Sequence, residues 1–99
     1  MSIVQIKDFD QHLDSEVTIR GWVRHHRKSG KIQFVVIRDG SGFAQMIFVK
    51  SEIDEVHWEA ARKLTTESSV AITGVVQQNP RNEKYELLAK SIEIIHISE

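Results

Sequence analysis

Val17-Thr18-Ile19-Arg20-Gly21-Trp22-Val23-Arg24-His25-His26-Arg27-Lys28 is the stretch whose reading decides the fold. Val17, Ile19, Gly21 and Val23 alternate with Thr18, Arg20, Trp22 and Arg24, a period of two that sends successive side chains to opposite faces of a long strand. Gly21 brings no side chain to pack and marks a bulge or sharp bend in its middle. A strand bent there can pair on both sides, and such double pairing closes a sheet on itself and hides its edges.

Working outward, Ser29 and Gly30 supply a turn, Lys31 to Arg38 a second strand, Asp39-Gly40-Ser41-Gly42 a hairpin turn, and Phe43 to Lys50 a third strand. Upstream, Ile6, Phe9 and Leu13 recur at helical spacing and predict a short amphipathic helix ending near Asp14 and Ser15. Downstream, residues 52 to 64 return to the helical period, with Ile53, Val56, Ala60 and Leu64 on one stripe, acidic residues leading and Arg62 and Lys63 closing. Trp58 lies opposite that stripe, which predicts a surface tryptophan, either partly covered or in contact with a catalytic domain or a second subunit. Ser69 to Gln77 reads as a fourth strand, Gln78 to Glu83 as a polar loop holding the only proline, and Lys84 to Ile97 as the last strand. The order helix, three strands in meander, helix, two strands predicts an all-β fold with accessory helices. It is a five-stranded Greek-key barrel with a helix between strands 3 and 4, the oligonucleotide and oligosaccharide-binding (OB) fold.

Composition bounds what such a barrel can do. With 99 residues, 40% hydrophobic and 7% aromatic, the chain can bury one modest core, so residues 1–99 are expected to form a single domain. Thirteen Lys and Arg against fourteen Asp and Glu give a net charge of −1, which excludes a histone-like polycation and an acidic disordered tail. No cysteine is present, so no disulfide or thiolate chemistry is available. The longest apolar runs are four residues, Phe34 to Ile37 and Met46 to Val49, against the roughly 20 needed to cross a bilayer. Met1 to Asp10 has no signal-peptide core. A cytoplasmic setting without membrane partners is expected.

The catalytic inventory is nearly empty: no HExxH, GxSxG or Walker motif occurs, which argues against an enzyme. Gly40-Ser41-Gly42 falls between two strands with no helix to follow, so it reads as a hairpin turn and not a phosphate cradle. His25 and His26, adjacent on a strand, point to opposite faces and have no pattern to complete a metal site. No metal or cofactor is expected in this domain.

Charge is distributed unevenly. From Arg20 to Arg38 the chain holds Arg20, Arg24, Arg27, Lys28, Lys31 and Arg38, two histidines and no acidic residue, so the net −1 conceals a basic lobe. Such a lobe either binds an anion or simply solvates the barrel's outer face. On the second strand Gln33, Val35 and Ile37 form one face and Ile32, Phe34, Val36 and Arg38 the other, and both look apolar. If Val35 and Ile37 point inward, Phe34 is an outward aromatic among cations, the combination that stacks an unpaired base. If the strand is turned the other way, Phe34 is core. Periodicity leaves both open.

The runs Val17 to Arg24, Ser29-Gly30-Lys31-Ile32-Gln33-Phe34 and Ile37-Arg38-Asp39-Gly40-Ser41-Gly42-Phe43-Ala44-Gln45 resemble the N-terminal anticodon-binding domain of the aspartyl, asparaginyl and lysyl class II tRNA synthetases. With Val49-Lys50-Ser51-Glu52, Thr66-Glu67-Ser68-Ser69 and Lys90-Ser91-Ile92-Glu93-Ile94-Ile95, the likeness is greatest to the bacterial-type asparaginyl branch. The resemblance implies that Phe34 points outward and stacks on the middle anticodon base, a uridine. It implies that Gln45 accepts from uridine N3–H and donates to a carbonyl, and that Glu86 takes the N1–H and N2–H edge of the first-position guanine. Arg27 would hold phosphate or the third base, and Arg24, Lys28 and Lys31 complete the expected nucleic-acid-binding set. His25 and His26 stand where aspartyl relatives often carry arginines, which favours the asparaginyl branch, whose third base is uridine. RNA would lie across strands 1 to 3, flanked by the 28 to 31 turn and the 78 to 83 loop.

The expected function is therefore the anticodon recognition domain of an asparaginyl-tRNA synthetase, with the tRNA anticodon loop and a separate catalytic domain as partners. On this resemblance the parent enzyme uses ATP and magnesium and is a homodimer, while the domain itself cannot aminoacylate. An aspartyl-tRNA synthetase domain, a free-standing single-strand binder and a protein-interaction module using Trp58 are the alternatives.

Overall fold

The alternation is realised as β1 (Glu16–Ser29), β2 (Ile32–Arg38), β3 (Phe43–Val49), β4 (Ser69–Gln78) and β5 (Tyr85–His96). The structure, a computed structural model, describes residues 3–97, so the outermost two residues at each end of the expected 1–99 unit lie outside the described residues. The strands close into a barrel in the order β1-β2-β3-β5-β4, antiparallel except for the parallel contact of β3 with β5. β1 supplies the closure: Glu16 to Trp22 pair with β4 and Trp22 to Ser29 pair with β2. This is the Greek-key OB barrel that the sequence predicts.

Gly21 sits at that handover but is not itself the bulge. A Cβ there would collide with the Arg38 carbonyl oxygen and stand 2.7 Å from Ile37 Cγ2, so glycine is required for close passage of the strands. The register shift falls further on, between Val23 and His25, leaving Arg24 as the extra residue. Gly74 makes a similar close pass, where a Cβ would collide with the Leu88 carbonyl and lie 2.9 Å from Ala89 Cα.

The barrel interior is filled from every strand by fully buried Ile19, Val23, Val35, Ile37, Met46, Phe48, Val70, Ile72, Val76 and Leu87. Each such side chain contributes about 1.5–3 kcal/mol of burial. Gln33 is equally buried, and its polar atoms are satisfied: Nε2 donates to the Trp58 carbonyl at 3.2 Å and Oε1 lies 2.8 Å from His26 Nε2.

Between β3 and β4 the chain forms a short 3-10 turn (Lys50–Glu52) and α1 (Glu55–Arg62). Of the expected stripe, Leu64 is buried and Ile53 and Ala60 pack half-buried against the core, but Val56 and the surface placement of Trp58 are corrected. Trp58 is only 5% exposed, packed with Ala61 and Leu64, whereas Val56 is 70% exposed. The reason is phase: Ile53, which anchored the predicted stripe, lies before the helix in extended conformation (φ −139°), so spacing counted from it does not carry into α1. Trp58 is thus a core residue and not a docking side chain. His57 Nδ1 lies 3.1 Å from the Ile92 N–H and joins the helix to β5. The N-terminal helix (Ile6–His12) is of 3-10 type and buries Ile6 and Phe9 as expected, leaving Leu13 at 43% exposure. No helix among the described residues is long and apolar enough to cross a membrane.

Candidate nucleic-acid interface

Inward burial of Gln33, Val35 and Ile37 settles the question the sequence leaves open: Phe34, with Ile32, Val36 and Arg38, lies on the outer face. Its ring is half-buried, and the Arg27 guanidinium carbon stands 4.4 Å from the ring centroid. The two residues are register partners on adjacent strands, so the cation is held over the aromatic by the sheet itself. Phe34 is opposite Ile47 on β3, and Gln45 is the diagonal neighbour, with Cα atoms about 7–8 Å apart.

Beyond Gln45 the face deepens into an open cleft of about 660 Å³ whose polar floor is Gln45 and Glu86. Met46 pairs with Leu87 in the parallel ladder, which sets Gln45 beside Glu86. Glu86 as a residue is 6% exposed, and its carboxylate accepts from three side-chain amides: Gln45 Nε2 at 3.2 Å, Gln77 Nε2 at 3.3 Å and Asn79 Nδ2 at 3.5 Å. A carboxylate offers about four lone-pair sites, so these contacts orient it without exhausting its capacity to accept.

One wall of the cleft is the N-terminal 3-10 helix, fastened by the β2–β3 turn. Asp39 accepts the Ile6 N–H at 2.8 Å and the Ser41 N–H and hydroxyl at 2.9 and 2.6 Å, while Ser41 Oγ accepts the Lys7 N–H at 3.2 Å. Burial, the largest single influence, raises the Asp39 pKa, but hydrogen bonds from the Ser41 side chain and from the Ile6, Ser41 and Gly42 backbone together outweigh it. The carboxyl is held below its ordinary value. The opposite wall comes from Asn82 and Lys84 of the loop before β5, together with Tyr85.

Phe34, Arg27, Gln45 and Glu86 therefore meet on one side of the barrel. Arg24, exposed at the bulge, lines a smaller hollow on that side with His25, Val36 and Phe43. Lys31 is exposed in the β1–β2 turn beside Gly30 (φ +60°). Lys28 pairs with Gln33, so the register puts it on the face away from Phe34. Sequence reasoning missed Phe43, 69% exposed on the same outer face, and the partners Gln77 and Asn79. Phe43 alternates with buried Ala44 and Met46, a signal that was available; the amide contacts depend on cross-strand register and left no trace in the order of residues.

Known proteins point the same way. The chain is 42% identical over 95 residues to the asparagine–tRNA ligase of Desulforamulus reducens, covering 95% of this chain and 22% of that protein. It superposes on asparaginyl-tRNA synthetase from Pyrococcus horikoshii, solved with asparaginyl-adenylate, with a TM-score of 0.88 and 30% identity over 97% of this chain and 23% of that one. An aspartyl-tRNA synthetase from Entamoeba histolytica shares the fold at 24% identity, with a TM-score of 0.87 over 98% of this chain and 22% of the other. The chain thus spans about a fifth of the length of the relatives it matches. Residues 17–95, nearly the whole barrel, match the family model described as an OB-fold nucleic acid binding domain, and the chain belongs to that tRNA anticodon family.

Proposed function

We propose that this barrel reads the anticodon of asparagine tRNA as part of an asparagine–tRNA ligase. The observation that carries the reading is the Phe34 ring, turned outward under the Arg27 guanidinium and diagonal to Gln45. An unpaired base stacks on such a ring while the cation neutralises the adjacent phosphate. In this reading the middle uridine lies on Phe34 and its N3–H is met by the Gln45 amide oxygen. The first-position guanine enters the cleft, where its N1–H and N2–H reach the oriented Glu86 carboxylate. Arg24 and Lys31, exposed around the face, steer the phosphate backbone. ATP and magnesium are handled by the catalytic part of such an enzyme; the residues described here select the tRNA.

Fluorescence anisotropy with RNA stem–loops tests this directly. A loop presenting GUU is expected to bind better than a scrambled loop, and better than GUC, which carries the third base of the aspartate anticodon. Phe34→Ala is expected to weaken GUU binding about 5- to 150-fold, the loss of one stacked base. Equal affinity for every sequence, with a log–log salt slope of about −0.7 per neutralised phosphate, would identify a non-selective single-strand binder instead.

A further inference from the structure

The outer face does not end at the residues proposed above for the first and middle bases. At the other end of β2 and β3 the register aligns Phe43 with Arg38 and Arg38 with Trp22. Phe43 is 69% and Trp22 43% exposed. The Arg38 guanidinium lies over the Trp22 ring at 5.6 Å, Nη2 stands 3.7 Å from the Glu67 carboxylate, and the buried Nε has no hydrogen-bond partner among the described residues. Two exposed aromatics thus flank a guanidinium with donors to spare. The other large apolar side chains left exposed, among them Leu13 and Val56, are aliphatic; Trp22 and Phe43 are the exposed aromatics, and with a cation between them they suit a ligand with flat apolar faces and negative charge.

This row is continuous with the Phe34 site. Phe43 borders both the Gln45 and Glu86 cleft and the hollow lined by Arg24, His25 and Val36. Phe34 is opposite Ile47, four residues along β3 from Phe43, a separation of about 14 Å. Stacked neighbours in a strand are about 3.4 Å apart, so one base cannot serve both rings.

We propose that Phe43, with the Trp22 and Arg38 pair, is a second stacking platform that takes an unpaired nucleotide flanking the triplet, the base on an aromatic ring and its phosphate on Arg38. The proposal rests on the anticodon-reading function proposed above and extends its footprint beyond three bases.

Abasic substitution separates the two. A GUU stem–loop is prepared with the base removed at one loop position at a time, and each RNA is titrated against the wild-type protein, Phe34→Ala and Phe43→Ala. Phe43 is largely exposed, so its truncation leaves the core intact, which a matching thermal unfolding midpoint verifies. If the platform exists, Phe43→Ala weakens the intact loop about 5- to 100-fold. Removing one base outside the triplet has the same effect and adds nothing in the variant, as expected of directly coupled groups. Binding of the intact loop also quenches the Trp22 emission, and removal of that flanking base abolishes the quenching. The proposal is overturned if Phe43→Ala acts independently of every base outside the triplet, or couples only to a triplet base, while Phe34→Ala still couples to the middle uridine. It is equally overturned if Phe43→Ala changes self-association in sedimentation and leaves RNA affinity untouched. If Phe34→Ala has no effect either, the anticodon reading itself fails.

Discussion

Glu86→Gln separates the structural role of the Glu86 carboxylate from its proposed role in reading guanine. Within the barrel Oε1 accepts from Gln77, and Oε2 accepts from Gln45 and Asn79. A glutamine can keep its one oxygen at the Oε2 position and serve the two donors there. Its new NH2 then faces the Gln77 amide, which turns over to present oxygen in place of nitrogen. The exchange costs one amide flip and no unsatisfied donor, so stability is expected to change by less than about 1 kcal/mol. Guanine has no such remedy, because N1–H and N2–H are both donors and meet an amide with only one acceptor. A good bidentate pair provides about 1–3 kcal/mol of discrimination, so the preference for GUU over AUU loops should fall by about 5- to 150-fold while unfolding is nearly unchanged. Competition anisotropy on the two loops, with urea unfolding in parallel, measures both quantities. Undiminished guanine preference in Glu86→Gln would refute the assignment of Glu86, and a large loss of stability would refute the flip.

The orientation of α1 is checked by a pair of substitutions: Trp58→Ala should cost about 3–5 kcal/mol in urea unfolding, and Val56→Ser within about 0.5 kcal/mol of nothing. Gly21→Ala and Gly74→Ala drive a methyl into the backbone of a neighbouring strand and are expected to destabilise by about 1–3 kcal/mol or more, whereas Gly42→Ala, with Ile6 Cγ2 4.0 Å away, should be far milder; thermal midpoints rank them. Asp39 has a pKa below its ordinary value of 3.8, so its contribution to stability is complete above that value and is lost as the pH falls through the lower folded pKa. The stability gap between wild type and Asp39→Asn should therefore be flat near neutrality and narrow only in acid, and a gap that widens on acidification would contradict the sign.

The barrel was legible in the sequence because a strand's period of two is coarse and repeats along the whole element: Val17, Ile19 and Val23, or Val35 and Ile37, cannot all be inside unless the rest alternate outside. The helix was less legible because a single non-helical residue, Ile53, shifts the apparent phase of a stretch only two turns long. The site was half legible. Phe34 and Gln45 lie on consecutive strands of one hairpin, whose register follows from the turn, and the resemblance could assign them. Glu86 joins them through a parallel ladder between β3 and β5, and its amide partners come from β4 and the loop that follows; such long-range register is written in no local pattern.

The bulge at Arg24 shows how the same strand can both close the barrel and carry the site. Up to Val23 the odd-numbered residues of β1 face the core; had that phase continued, Arg27 would point into it. The extra residue reverses the phase, so Val23 still pairs with inward Ile37 but His25 pairs with outward Val36 and Arg27 with outward Phe34. From 17 to 23 the odd-numbered residues fill the interior and the even-numbered ones face out, whereas from 24 to 27 Arg24, His25 and Arg27 face the exterior, with His26 alone turned back to meet buried Gln33. Because the inserted position needs no side chain of a particular kind, an arginine fills it, and the device left no glycine or proline to betray it. A single unpaired residue thus moves the odd-numbered positions of β1 from the interior to the outer face, and it is this change of phase, more than the basic lobe as such, that puts a cation over the Phe34 ring.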